Sequence, residues 1–158
     1  MVTTQHKRAI KVIHDRLHEL EVVWAITGSL GFALHGMELE VNDIDLQTDV
    51  SGAYEIENVF KEQVVRSVKF SVSDKIASHW GELHVAGVKV EIMGALQKKR
   101  SDGTWKSPVE VKKYREFVSV EGMKLPVLSL EYEEQAYRKL GRIERADKIN
   151  EWRVGRCY

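Results

Sequence analysis

Two aspartates one residue apart, Asp43 and Asp45, interrupt an apolar run in Val41-Asn42-Asp43-Ile44-Asp45-Leu46. If that run is a strand, alternation turns both carboxylates to one face and Ile44 and Leu46 to the other. Like charges side by side repel, and the cost is high on a half-buried strand. A divalent cation removes that cost, and Mg²⁺ favours one or two carboxylates together with substrate phosphates. Just upstream, Trp24-Ala25-Ile26-Thr27 ends in Gly28-Ser29 and leads into a predicted helix over Leu30 to His35. Gly28 lets a ligand approach the backbone closely, and Ser29 can cap the helix. The free N–H groups of a helix start suit a phosphate. One short unit thus offers a metal pair and a phosphate cradle.

A further carboxylate stands on a predicted hairpin, whose arms Glu82 to Ala86 and Val88 to Met93 flank Gly87. In the second arm Val88, Val90 and Ile92 share one face, and Lys89, Glu91 and Met93 the other. Glu91 is therefore a charge in mid-strand; by composition alone, an ordinary outward-facing glutamate accounts for it. His14 and His18 lie four apart on a predicted first helix. No third ligand is suggested nearby and the Glu of a His-Glu-x-x-His motif is missing, so they read as a solvated face.

Gly28-Ser29, a spacer, then Asp43-Ile44-Asp45 between aliphatics resembles the signature of the nucleotidyltransferase superfamily related to DNA polymerase beta. The resemblance is to its small bacterial branch around the antibiotic nucleotidyltransferases. His35-Gly36 is similar to the small-residue helix end that such proteins carry before the acidic strand. Many relatives have Arg-x-Thr ahead of the first aspartate, where this chain reads Glu40-Val41-Asn42. The resemblance extends over about residues 22–150, within one domain spanning 1–158.

The resemblance implies an α/β (α+β) fold, with a mixed sheet of about five strands and helices packed mainly on one face. It implies Mg²⁺ or Mn²⁺ as cofactor and a nucleoside triphosphate, ATP, as substrate. Asp43 and Asp45 become metal ligands, and Glu91 the third acid that completes a second metal site or accepts the acceptor's proton. Gly28 and Ser29 would hold the β- and γ-phosphates. Lys139, in a C-terminal helix where relatives often carry a lysine, is the candidate for the triphosphate, with Arg142 a second. The acceptor stays open among a small-molecule hydroxyl, a protein side chain and an RNA end, and a second subunit of a homodimer could complete its site. Two other classes also fit: a non-catalytic nucleotide-binding or regulatory module, and a toxin–antitoxin component acting on a partner protein.

The rest of the chain must position these groups. Ala9, Ile10, Ile13, Leu17 and Leu20 recur at helical spacing after Thr3 or Thr4 as N-cap. Strands are expected at 22–27, 44–49, 64–72, in the two hairpin arms, and at 117–120 and 123–128, with Pro126 favouring an edge. Gly52 to Glu62 reads as a connecting helix. Ser129 starts a last helical region whose stripe is Leu130, Tyr137 and Leu140, with Glu131, Glu133 and Glu134 suiting its first turn. The loop from Ser101 to Pro108 carries Trp105, which could stack on a base or cover an edge.

Formal net charge is zero, which argues against a dedicated non-specific nucleic-acid binder. The charge is unevenly placed. Residues 38–62 hold eight acids against Lys61 alone, whereas residues 98–115 hold seven bases against two acids. An acidic half facing a basic half suits a metal and a triphosphate, although solvated charges coat any surface. One cysteine, Cys157, permits no internal disulfide and fits a reducing cytoplasm. No signal peptide and no membrane span are expected.

Overall fold

In a computed structural model, residues 1–155 are described; Cys157 lies outside the described residues. Helix α1 (Thr4–Leu17) is closed at its start by a capping box between Thr3 and His6, and its buried stripe is Ala9, Ile10, Ile13 and Leu17. Then follow β1 (Trp24–Thr27), α2 (Gly28–Leu34), β2 (Ile44–Thr48) and α3 (Val50–Val59). A 3₁₀ turn over Lys61–Gln63 leads into β3 (Val64–Val72), β4 (Ile76–Val85) and β5 (Val88–Lys98). The short α4 (Val111–Tyr114) precedes the hairpin β6 (Arg115–Val120) and β7 (Met123–Leu128), and α5 (Leu130–Lys139) and α6 (Ile143–Gly155) complete the order.

All seven strands join one mixed sheet, in the order β3-β4-β5-β2-β1-β7-β6. The mixed α/β class is as expected, but the sheet has seven strands rather than about five. β2 runs parallel to β5 and β1 parallel to β7, while the other neighbours are antiparallel. One face carries Ile26, Ile44, Leu46, Val90, Ile92 and Val127, buried in one core with the apolar stripes of α1 and α3. The opposite face holds the polar residues considered below.

Four local expectations need correction. Leu20, expected on the stripe of the first helix, lies beyond the end of α1 at Leu17 and is exposed. Pro126 is not on an edge strand: β7 lies between β1 and β6, and β6 is the edge. The β1–β7 ladder is one paired step, Ile26 with Val127, and so short a ladder accommodates a residue with no N–H to give. Ser29 is not the cap of α2, because the helix starts at Gly28 and Thr27 holds the N-cap position. The connecting helix begins at Val50 and ends at Val59, because the Asp49 carboxylate accepts from the Gly52 N–H at 2.7 Å and fixes the start two residues early.

Candidate active site

Strand register assembles the site. Thr27 pairs with Asp45, Asp45 with Glu91, Glu91 with Glu82 and Glu82 with Arg66, a row of direct partners across five strands. Directly opposed residues project from the same face, so three carboxylates stand side by side there. Asp43 precedes β2 by one residue and joins them through Lys89. The Lys89 ammonium lies 3.1 Å from Glu91 Oε1, 3.8 Å from Asp43 Oδ2 and 3.9 Å from Glu82 Oε1. Alternation along β5 explains this, since Lys89 and Glu91 are two residues apart on one side of the strand.

Gly28 and Asp45 fit together sterically. Gly28 has φ +70°, and a Cβ there would lie 2.5 Å from Asp45 Oδ2. Glycine is needed both for the left-handed backbone and for room beside the carboxylate. The Gly28 N–H is engaged too: it donates to Glu133 Oε2 at 3.3 Å, and the Thr27 hydroxyl donates to the same oxygen at 2.8 Å. Ser29 Oγ accepts from the Asn42 N–H at 3.3 Å, tying the helix start to the segment before Asp43.

Electrostatics mark two carboxyls. Burial, reinforced by Glu91 and Asp43, pushes Asp45 up to about 7. Burial likewise pushes Glu133 up to about 7, against the opposing effect of its bonds from Thr27 and Gly28. A raised carboxyl among like charges is short of a cation. Its donors are hard oxygens, the set that Mg²⁺ prefers. In donor chemistry the set suits such an ion. Among the described residues, however, no three His, Cys, Asp or Glu side chains converge in metal-holding geometry, and the Lys89 ammonium bridges Asp43 and Glu91.

Beside this row lies a cavity of about 170 Å³ lined by Asp45, Glu91, Gln47, Lys98, Glu133 and Arg142, among others. Gln47 is only 6% exposed, and its Oε1 lacks a hydrogen-bond partner among the described residues. That buried acceptor is open to a donor on a bound ligand. Lys98 reaches the cavity through a register shift between β4 and β5: Gly94 pairs with His79 but Gln97 with Ala77, and Ala95 has φ 52°. The extra residue reverses alternation beyond Met93, so that Leu96 and Lys98 line the cavity instead of Gln97 and Lys99.

A sequence profile described as aminoglycoside-2''-adenylyltransferase matches residues 9–152. The chain belongs to the aminoglycoside-2''-adenylyltransferase family. Its nucleotidyltransferase fold is similar to that of TM1012 from Thermotoga maritima, ascribed a nucleotidyltransferase function. That match has 53% identity and TM-score 0.86, over 98% of this chain and 96% of that one. The fold is also similar to the lincosamide antibiotic adenylyltransferase LnuA in its lincomycin-bound form, at 16% identity and TM-score 0.56 over 94% and 98% of the chains. ANT(2")-Ia in complex with adenylyl-2"-tobramycin matches at 14% identity and TM-score 0.54, over 97% of each chain. No curated protein gives a significant match.

Within this adenylyltransferase fold, Asp45 and Glu91 are brought into direct opposition and Asp43 is joined to Glu91 through Lys89. Lys139 and Arg142 are not together: Arg142 lines the carboxylate cavity, while Lys139 lines a neighbouring one with Arg100 and Lys106. Trp105 forms an isolated bridge with Lys99, whose ammonium lies 5.8 Å from its ring centroid. His14 and His18 stack on each other at 4.8 Å, away from the site.

Sequence reasoning missed Glu133, Lys98 and Gln47. For Glu133 a signal was present: it lies three residues after Leu130 and four before Tyr137, on the apolar stripe of α5. A glutamate on a buried stripe must find partners, and Thr27 and Gly28 supply them.

Proposed function

We propose that the protein transfers a nucleoside monophosphate from ATP to the hydroxyl of a small-molecule acceptor, releasing pyrophosphate, in a Mg²⁺- or Mn²⁺-dependent reaction. The observation that carries this reading is the direct opposition of Asp45 and Glu91, beside a cavity, with Asp43 on the same side. Asp43 and Asp45 would hold the cation, with Glu91 completing the donor set. A bound divalent ion supplies neutralisation of charge on the phosphates.

The chain's own residues orient the reactants. In the transfer the acceptor oxygen forms a bond to the α-phosphorus. The α–β bridging P–O bond breaks, and pyrophosphate departs with its electron pair. The acceptor's proton passes to the Glu91 carboxylate, the acid at the centre of the row. Gly28 acts through conformation, leaving room for Asp45, while Ser29, Arg142 and Lys139 are the candidates for contacts to the nucleotide. Gln47 Oε1 offers an acceptor to a ligand amino or hydroxyl group. The lincomycin-bound and adenylyl-2"-tobramycin-bound relatives support a small polyhydroxylated acceptor.

The test is incubation with each of the four α-labelled triphosphates, Mg²⁺ or Mn²⁺, and panels of aminoglycosides and lincosamides. Labelled acceptor and an equal amount of pyrophosphate are expected, and neither should form with Asp45→Asn. Transfer that persists undiminished in Asp45→Asn would remove the basis of this assignment.

A further inference from the structure

Asp43 and Asp45 are fixed by different means. Asp45 lies within the sheet and has a ladder partner on each side, Thr27 and Glu91. Asp43 stands one residue before β2, at the end of an irregular segment that follows Gly36. The ladder therefore does not hold it, and side chains from two helices reach the backbone beside it. From α2, Ser29 Oγ accepts from the Asn42 N–H at 3.3 Å. From α1, the His6 ring reaches the Asn42 carbonyl, with Nε2 2.8 Å from its oxygen.

His6 is only 8% exposed, and both of its ring nitrogens are engaged. Nδ1 accepts from the Thr3 N–H at 3.2 Å, the returning half of the capping box that starts α1. A ring nitrogen that accepts carries no proton, so in the neutral ring Nε2 carries it and donates to the Asn42 carbonyl. Glutamate or glutamine is the usual residue at this position of a capping box, and closing the helix start needs one acceptor only. Histidine adds a donor on the far side of its ring, and that donor goes to a carbonyl 36 residues away. The Asn42 carbonyl shares one planar peptide with the Asp43 N–H. Holding its oxygen fixes the tilt of that plane, and with it the direction in which the Asp43 side chain leaves the backbone.

We infer that His6 is a positioning residue for Asp43: through the Asn42 carbonyl it sets where that carboxylate stands relative to Asp45 and Glu91. The inference rests on the proposed role of Asp43 as a cation ligand. It adds α1, packed on the other face of the sheet, to the elements that shape the site. The Asp43 carboxylate is itself 43% exposed, and its contact with Lys89 is 3.8 Å long, beyond hydrogen-bond reach. Its placement therefore depends on the backbone that carries it. Groups that orient metal-binding side chains from behind are typically worth about 10- to 100-fold in metal affinity or activity. Acting through a peptide plane, His6 belongs at the lower end of that range.

The experiment titrates the protein with Mn²⁺ alone and reads the free ion by electron paramagnetic resonance. Two neutral substitutions divide the contacts of the ring. His6→Asn places an amide oxygen where Nδ1 stands, which keeps the cap, but is too short to reach Asn42. His6→Gln extends as far as Nε2 and brings a donor there. Mn²⁺ affinity is expected to fall about 10-fold in His6→Asn and to stay within about 3-fold of wild type in His6→Gln. Thermal melting records the stability that each variant loses with the ring. Wild-type affinity in His6→Asn overturns the inference, as do equal losses in the two variants, which would make His6 a packing residue only. Nitrogen-15 spectra of histidine-labelled protein supply a second readout: the His6 proton is expected on Nε2, and a proton on Nδ1 overturns the bridge. Asp43→Asn with Asp45→Asn separates this inference from the reading beneath it. Mn²⁺ binding that survives those two substitutions sinks the cation site and the role of His6 together. Aspartate-dependent binding that is indifferent to His6→Asn sinks the role of His6 alone.

Discussion

Asp45 on β2 and Glu91 on β5 are direct partners in a parallel pair, so two acids distant in sequence share one face at adjacent strand positions. Burial, then the charges of Glu91 and Asp43, raises the Asp45 carboxyl to about 7. The Lys89 ammonium offsets part of that cost. It also makes the site sensitive to substitution in ways that can be measured.

Removing the charge pair should remove the response to metal. With wild type, Mg²⁺ or Mn²⁺ plus ATP at about 100 times Kd should stabilise by roughly 2.7 kcal/mol through linkage. Asp43→Asn combined with Asp45→Asn should abolish this shift in thermal melting while leaving the metal-free melting temperature equal or higher. An undiminished shift in the double variant would place the metal–nucleotide site elsewhere.

Gly28→Ala should be destabilising for two reasons at one position. Its backbone has φ +70°, and the new methyl meets Asp45 Oδ2 at 2.5 Å. A loss of about 2 kcal/mol or more is expected by denaturant melting. Adding Asp45→Ala should restore part of the stability but no transfer activity. If the second substitution restores nothing, backbone strain alone accounts for the loss.

Glu91→Gln keeps size and hydrogen bonding but gives up the charge. Affinity for the metal–nucleotide complex should stay within a few-fold, while transfer falls by about 10²-fold or more. Single-turnover assays separate the two quantities. Equal losses in binding and transfer would make Glu91 a binding group only, and Glu82, its partner on β4, the next acid to vary.

Lys89 competes with a cation for the acids it bridges. Lys89→Met should raise Mn²⁺ affinity several-fold, read by titration, and lower stability in the absence of metal, because Asp43 and Glu91 lose their bridging ammonium. Weaker Mn²⁺ binding would show that Lys89 supports the metal site instead of opposing it.

Stability should vary with pH in a definite sense. Asp45 and Glu133 both titrate near 7 in the folded protein, above their unfolded values of about 4. The folded state therefore binds more protons between about pH 4 and 7, and metal-free stability should fall as pH rises through that window. Lys98 acts oppositely: with its folded value lowered to about 8, stability should recover as pH rises from there towards about 10. Glu133→Gln should flatten the lower limb. Thermal melting across the range checks both limbs, and a lower limb that rises with pH would contradict the raised carboxyls.

The sequence by itself determined much of the local order. Strand β3 matches its alternating stretch, Val64–Val72, and the α1 stripe and Thr3 cap follow from residues a few positions apart. The alternation that turns Glu91 away from Val90 and Ile92 is local too. Such features depend on the 2- and 3.6-residue periods, which neighbouring residues alone encode.

Only the tertiary structure decided which acids meet. Asp45 opposes Glu91 because β5 lies parallel to β2, a choice set by packing of both strands against α1 and α3. The shift at Ala95 that brings Lys98 into the cavity depends on pairing with β4, and nothing in the run Met93-Gly94-Ala95-Leu96 marks it unambiguously. Glu133 reads as a first-turn acid until α5 is laid over Thr27 and Gly28. Each outcome depends on contacts between residues far apart in the chain, whose register is a property of the assembled sheet.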